Sequence, residues 1–216
     1  MASLQIHAWI QGITALLQNR ATEEALAGTT RSNTPGSEQD IRLVADRCVY
    51  RLPGSNQIGF PGSAIARMLR EAGGSHKAKG SRKSLKYIVP AAVLVLDDLC
   101  GLYLHDRETP IDDYEIDRRP VTIPATKGRV MRYRPRFDQW TAPIRLRIND
   151  SILDEDLVRK LLIEGTEQIG IGDFRPEKGG PFGCSHLVHW EVVAGRKDVV
   201  GVEEEELKPP RRRKAA

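Results

Sequence analysis

Nine cationic side chains fall between Arg118 and Arg147: Arg118, Arg119, Lys127, Arg129, Arg132, Arg134, Arg136, Arg145 and Arg147. Asp138 is the only carboxylate in that interval, and Tyr133, Phe137 and Trp140 are interleaved with the cations. A guanidinium grips phosphate oxygens through paired, charge-assisted hydrogen bonds. An aromatic face stacks on an unpaired base for about 1–3 kcal/mol. The pattern therefore points to a single-stranded nucleic acid. No element suited to reading a duplex groove is evident. The competing structural reading is a solvated hairpin whose arginines pair with carboxylates elsewhere in the chain.

A second basic stretch runs through residues 75–86, with Lys77, Lys79, Arg82, Lys83 and Lys86, and is expected to be flexible. A glycine-rich segment spans Ile169-Gly170-Ile171-Gly172-Asp173-Phe174-Arg175-Pro176-Glu177-Lys178-Gly179-Gly180-Pro181-Phe182-Gly183. Glycines let backbone amides approach a phosphate or a neighbouring chain. Here the order is helix, loop, strand, the reverse of a phosphate-binding loop, and no Gly-Lys-Ser/Thr follows. Nucleotide hydrolysis is therefore rejected. Cys184, His186 and His189 do not match a zinc spacing. Asp97, Asp98, Asp106, Asp112, Asp113 and Asp117 are irregularly spaced and read as solvated loop acids. No nucleophilic triad can be assigned, and neither a metal nor a cofactor is expected.

Certain elements must position these groups. Leu4, Ile6, Ala8 and Ile10 alternate with Gln5, His7, Trp9 and Gln11, which predicts a half-buried strand. Residues 19–45 are rich in Thr, Ser, Asn, Pro and Gly and predict a flexible insertion, with a short helix near 22–27. A short strand or turn is expected at 48–52. Ser63 is a candidate cap for a helix over 64–72 that stops at Gly73-Gly74, with Ile65, Met68, Leu69 and Ala72 on one face. Residues 87–96 predict a buried strand, and 97–120 predict turns with a short strand near 101–104. Residues 121–149 predict a long hairpin around Lys127-Gly128, followed by Ile144, Leu146 and Ile148 pointing inward. A helix over 152–164, capped from Asn149, Asp150 or Ser151, carries Leu153, Leu157, Val158, Leu161 and Leu162. A final strand is predicted at 187–193.

The order strand, helix, strand, strand, helix, strand is the split βαβ plan, an α+β, ferredoxin-like fold with two helices on one face of an antiparallel sheet. The expected organisation is one domain over 1–200, with 118–142 an inserted basic hairpin and 201–216 a charged, disordered tail. The chain has 216 residues, 40% hydrophobic, enough for one core. Three separated cysteines argue against a disulfide framework. The net charge is +4, with 33 basic and 29 acidic side chains. With no signal-peptide pattern and no long apolar run, a cytoplasmic protein of a bacterium, archaeon or phage-infected host is expected.

Two motifs carry a resemblance. Gly59-Phe60-Pro61-Gly62-Ser63-Ala64-Ile65, with Arg67 and Arg70, is similar to the start of the first helix in the RAMP superfamily. That group includes the backbone subunits of CRISPR effector complexes. The glycine-rich segment resembles the C-terminal loop of the same group. The stretch from Arg119-Pro120-Val121 to Arg134-Pro135-Arg136-Phe137-Asp138-Gln139-Trp140 resembles related phage-encoded proteins.

The resemblance implies a modified RNA-recognition-motif fold, and homo-oligomeric, head-to-tail assembly along a guide RNA, with other effector-complex subunits as further partners. It implies that Ser63, Arg67 and Arg70 face the nucleic-acid backbone and that Gly170, Gly172, Gly179 and Gly180 let the loop lie against it. Arg175 and Lys178 of that loop, the basic stretch with Lys77, Arg82 and Lys83, and the hairpin with Arg129, Arg132, Arg134 and Arg136 complete the candidate surface. The hairpin is the expected inter-subunit projection.

Two departures stand out. Gly183-Cys184-Ser185 replaces the family's Gly-Arg-Phe-like ending. Asp40 and Asp46 sit where some relatives carry a catalytic aspartate, but in no recognisable motif, so no nuclease activity is expected. The leading reading is a non-catalytic single-stranded RNA-binding subunit. The alternatives are a phage single-stranded DNA-binding or recombination accessory protein, a metal-dependent ribonuclease, and a structural mimic that binds protein acids.

Overall fold

The computed structural model describes residues 3–21, 36–78, 80–122 and 127–194. The short helix expected near 22–27, Ile123, Lys79 and the tail over 201–216 lie outside the described residues.

Strand β1, Leu4–Gly12, buries Ile6, Ala8 and Ile10 and turns Gln5 and His7 to solvent, as its alternation requires. It pairs antiparallel with β9, Thr141–Ile148, and with β10, Ser185–Ala194. The short strand β5, Val93–Val95, pairs antiparallel with the far side of β9. The sheet order is β10-β1-β9-β5. Counting only these four strands in chain order, the arrangement is 4-1-3-2 with every neighbour antiparallel, as the split βαβ plan demands. The protein is an α+β fold.

Ile144, Leu146 and Ile148 are fully buried, whereas Arg145 and Arg147 face out, matching the sequence reading. Two helices cover the buried face. Helix α2, Gly62–Ala72, supplies Ile65, Met68, Leu69 and Ala72; helix α3, Glu155–Glu164, supplies Val158, Leu161 and Leu162. Burying one such side chain stabilises by about 1.5–3 kcal/mol.

Two further sheets flank this core. One has the order β2-β8-β7, with β2 Leu16–Leu17, β7 Glu115–Thr122 and β8 Arg129–Phe137. The other is β3-β4-β6, with β3 Tyr50–Arg51, β4 Ile58–Pro61 and β6 Leu99–Gly101. Trp140 is fully buried between the sheets, and its Nε1 donates to the Thr14 carbonyl at 2.9 Å. It fits because Gly12 has no side chain: a Cβ there would sit 2.2 Å from the same Nε1.

Several expectations need correction. Within the segment read as a loop lies helix α1, Glu38–Asp46. A reciprocal capping box starts it: Ser37 Oγ accepts from the Asp40 amide, and Asp40 Oδ2 accepts from the Ser37 amide, both at 3.1 Å. Helix α2 begins at Gly62, with Pro61 as N-cap, so Ser63 does not cap it. Helix α3 begins at Glu155, with Asp154 as N-cap, three residues later than expected.

Residues 87–96 are not one buried strand. Pro90 sits in a single helical turn, Val89–Ala92, and Tyr87 and Leu94 are exposed. The basic stretch is closed into a small turn rather than left loose: Lys77 and Ser84 form a bridge, and the Ala78 amide donates to the Lys83 carbonyl at 2.9 Å. The hairpin is longer than predicted, since β7 starts at Glu115.

Candidate nucleic-acid interface

Strand β4 runs directly into α2, so the chain turns from sheet to helix at Pro61. Gly62 makes that turn possible. A Cβ there would lie 1.9 Å from the Asp97 carbonyl oxygen, and the Gly62 amide donates to the Asp98 carbonyl at 2.8 Å. No side chain caps α2. Its first-turn amides keep the partial positive charge that draws anions to a helix N-terminus. Ser63, Arg67 and Arg70 are exposed along one ridge of the helix, at spacings of four and three residues.

The glycine-rich loop returns to this ridge from more than 100 residues away in sequence. Ser63 and Arg67 form one wall of a cavity of about 350 Å³, and Gly170, Gly172, Asp173, Arg175 and Glu177 form the other. The two motifs that carry the resemblance therefore meet. Glu177 joins them: its carboxylate accepts from Arg67 Nη2 at 3.0 Å and from Arg175 Nε at 3.0 Å, with Lys178 Nζ at 3.4 Å. Burial alone would raise the Glu177 pKa. The hydrogen bond and charge of Arg175, then those of Arg67, outweigh it and hold the carboxyl at about 2. Arg175 also donates to the Gly172 carbonyl at 2.8 Å, which fixes its plane.

A second cavity, about 430 Å³, opens between the loop and the β7–β8 hairpin. Asn19 and Asp173 line both cavities, so the two share a wall. Arg119 and Arg132 line the second cavity from the hairpin, and Phe174 and Lys178 from the loop. A third hollow, about 580 Å³ and mainly apolar, lies on the other flank of α2 beside β5; Ser63, Arg67 and Arg70 border it.

The predicted cations do not all reach a surface. Arg134 is 4% exposed and clamped between Asp173, at 2.9 Å, and Asp117, at 3.1 Å. It ties the hairpin to the glycine-rich loop and is not an interface residue. Phe137 and Trp140, expected to stack on bases, are core residues; Tyr133 is half-buried. Arg136 pairs with Asp138 at 2.7 Å, and Arg145 with Asp97. Arg118 pairs with Glu38 and fastens the hairpin to α1.

Lys77, Arg82 and Lys83 line none of the three cavities. Their turn follows the C-terminal end of α2, about 16 Å along the helix from its first turn. Arg129 and Arg132 are exposed, and Arg132 makes no ion pair among the described residues. Gly172 and Gly180 serve the packing of the loop: a Cβ on Gly172 would meet the Leu17 carbonyl at 2.5 Å, and one on Gly180 the Phe174 carbonyl at 1.8 Å. The first lets the loop lie against β2, and the second lets it fold on itself. Gly179, with a positive φ and open space around it, ends the turn at 176–178.

No protein-family model matches the chain, and no curated protein matches it. Among solved structures, Cmr6 from Pyrococcus furiosus is similar at 12% identity and a TM-score of 0.45, over 87% of this chain and all of that one. A chain of the Type III-B Cmr-beta complex bound to cognate target RNA is similar at 13% identity and a TM-score of 0.45, over 88% of this chain and 60% of that one.

Several of the acids considered for a catalytic or metal-binding role are engaged elsewhere. Asp40 completes the capping box, and Asp46 accepts from the Tyr114 hydroxyl at 2.6 Å. Asp113 pairs with Arg42, and Asp106 folds its own turn by accepting from the Glu108 and Thr109 amides. Among the described residues no group of three or more His, Cys, Asp or Glu side chains could hold a metal. Cys100 is buried, which pushes its thiol up to about 12. No described helix is long and apolar enough to cross a membrane.

Sequence reasoning missed three residues that line the cavities, Asn19, Phe174 and Glu177, and named Arg119 only as one of the basic cluster. Glu177 had a signal, since it stands between Arg175 and Lys178 in a loop otherwise poor in acids. Phe174 had none, because its importance comes from a backbone conformation.

Proposed function

We propose that this chain is a non-catalytic subunit that binds single-stranded RNA along the track from the α2 ridge, past the glycine-rich loop, to the hairpin cavity. One observation carries the reading. Two motifs remote in sequence build one cavity, which shares Asn19 and Asp173 with a second that Arg119, Arg132 and Lys178 line. Arg67, Arg175, Lys178 and Arg132 follow that track, and the uncapped start of α2 adds to its positive field. Adjoining hollows lined by arginine and aromatic side chains suit a flexible strand better than a rigid duplex.

Asp40 and Asp46 have structural roles, which supports the non-catalytic reading; purified protein with Mg²⁺ is expected to leave a single strand uncut. Assembly of copies head to tail along the strand, alone or with other effector subunits in the cytoplasm, belongs to the same proposal. The projecting β7–β8 hairpin, with Met131 46% exposed, is the contact expected to reach the next copy. The test is purification in moderate salt, followed by separate RNase and DNase digestion of whatever co-purifies. An absorbance ratio rich in nucleic acid and abolished by RNase supports the proposal. Sensitivity to DNase alone replaces RNA with single-stranded DNA. Clean protein that binds neither polymer overturns it.

A further inference from the structure

Phe174 is one of three non-glycine residues among those described with a positive φ, at 50°. A bulky aromatic residue is rarely held there, and such conformations persist only where the surroundings enforce them. The enforcement is visible. The Phe174 amide donates to Asp173 Oδ1 at 3.0 Å, and its carbonyl accepts from the Phe182 amide at 3.3 Å. Asp173 is itself held by the buried Arg134, and its amide donates to the Leu17 carbonyl at 2.8 Å. Gly180 supplies the close approach beneath.

The strained residue lines the hairpin cavity and is 37% exposed. A buried aromatic stack backs it. Its ring lies 6.1 Å from that of Phe182, which is 6% exposed, and the Arg119 guanidinium sits 4.5 Å over the Phe182 ring. Arg119 is fixed in turn by Asp117 at 2.6 Å. The same cavity carries Arg132, which makes no ion pair among the described residues, the Asn19 amide and Lys178. A planar surface, hydrogen-bonding groups and excess positive charge together suit a flat, polar, weakly electron-rich ring.

We infer that the cavity between the glycine-rich loop and the β7–β8 hairpin is a nucleobase site, in which an unpaired base stacks on Phe174 and its polar edge faces Asn19 and Arg132. The site rests on the reading that the chain binds a single strand and adds where a base, as opposed to the sugar–phosphate backbone, is held. The strain at Phe174 serves to present the ring to that base.

The test uses the full chain and a 12-nucleotide single-stranded RNA carrying 2-aminopurine, whose fluorescence is quenched on stacking. Phe174→Gly is the informative variant, because glycine adopts a positive φ without strain and the fold should be kept or strengthened. The expected result is quenching by the wild type. Phe174→Gly loses the quenching and binds roughly 5- to 100-fold more weakly, the equivalent of one stacked base. Its dependence on salt is unchanged, since no phosphate contact is removed. Phe174→Tyr keeps both quenching and affinity. If Phe174→Gly binds and quenches like the wild type while Arg67→Glu weakens binding, the base site is wrong and the strand-binding reading stands. If the wild type binds no single strand at low salt, both fall.

Discussion

Arg132 and Arg134 stand two residues apart on one strand and share a side-chain type, yet they do opposite things. Arg134 is buried between two carboxylates and locks the hairpin to the glycine-rich loop. Arg132 is exposed, has no ion-pair partner among the described residues, and lines the cavity that this lock creates. Their alternation does not separate them, because both occupy the same side of β8. What separates them is position along the hairpin: Arg134 lies opposite Asp117, near the base, and Arg132 opposite Arg119, one step toward the tip. A cluster of arginines in a sequence is therefore two populations, one that cements and one that binds, and only the carboxylates facing each residue assign it.

The largest expected difference between the two is in stability. Arg134→Met removes the buried cation between Asp117 and Asp173 and leaves Asp117 with Arg119 alone, and breaking such a buried pair costs about 3–5 kcal/mol. Arg132→Met should change stability by no more than about 0.5 kcal/mol. Urea unfolding of both variants checks this, and equal losses would erase the distinction.

A smaller effect is expected at Glu177, the cement on the other side of the loop. Its pKa is about 2 in the fold, against an ordinary value near 4.5. A depressed carboxylate pKa stabilises the fold fully above the ordinary value, and that stability is lost as pH falls from about 4.5 towards 2. Glu177→Gln removes the dependence, so wild type and variant should converge in melting temperature across that window. At neutral pH the variant should be about 1–2 kcal/mol less stable, the scale of a hydrogen bond to a charged group. It should also bind a single strand a few-fold more tightly, because Arg67 and Arg175 are released.

The smallest effect sharpens the role of Arg132. Its removal should reduce the slope of log affinity against log salt by about 0.7, the loss of one neutralised phosphate on a single strand. An unchanged slope would mean that Arg132 faces a base edge alone.

The same contrast explains what could be read in advance. Strands β1 and β9 and helices α2 and α3 announce themselves because Ile6, Ile144, Leu146, Ile65 and Leu161 recur at the period of a strand or a helix, and the core enforces that period. The strand order follows from them. Helix α1 does not announce itself: only Ile41 and Ala45 are buried, and its start depends on an aspartate at the position where a glutamate or glutamine is usual. Strand β7, Glu-Ile-Asp-Arg-Arg-Pro-Val-Thr, hides behind its charges and Pro120. Ser63, Arg67 and the glycine-rich loop were legible as motifs, and the structure brings them together. The fates of Arg134, Phe137 and Trp140 were not, since burial is set by partners remote in sequence. Phe174 was invisible for a different reason, because a left-handed backbone at a phenylalanine leaves no mark on composition or spacing.

The most direct test of the strand-binding track is fluorescence polarisation of a labelled single-stranded RNA against the wild type and the double variant Arg67→Glu/Arg132→Glu, with melting temperatures in parallel. Both residues are exposed, one in each cavity, so the fold should be kept. Salt-sensitive binding is predicted for the wild type and a loss of at least about 30-fold in the variant, on the order of 2 kcal/mol, with a single cooperative melting transition kept and lowered only by the loss of the Arg67–Glu177 pair. Equal affinity of the two proteins would show that the strand, if bound at all, does not run through these cavities.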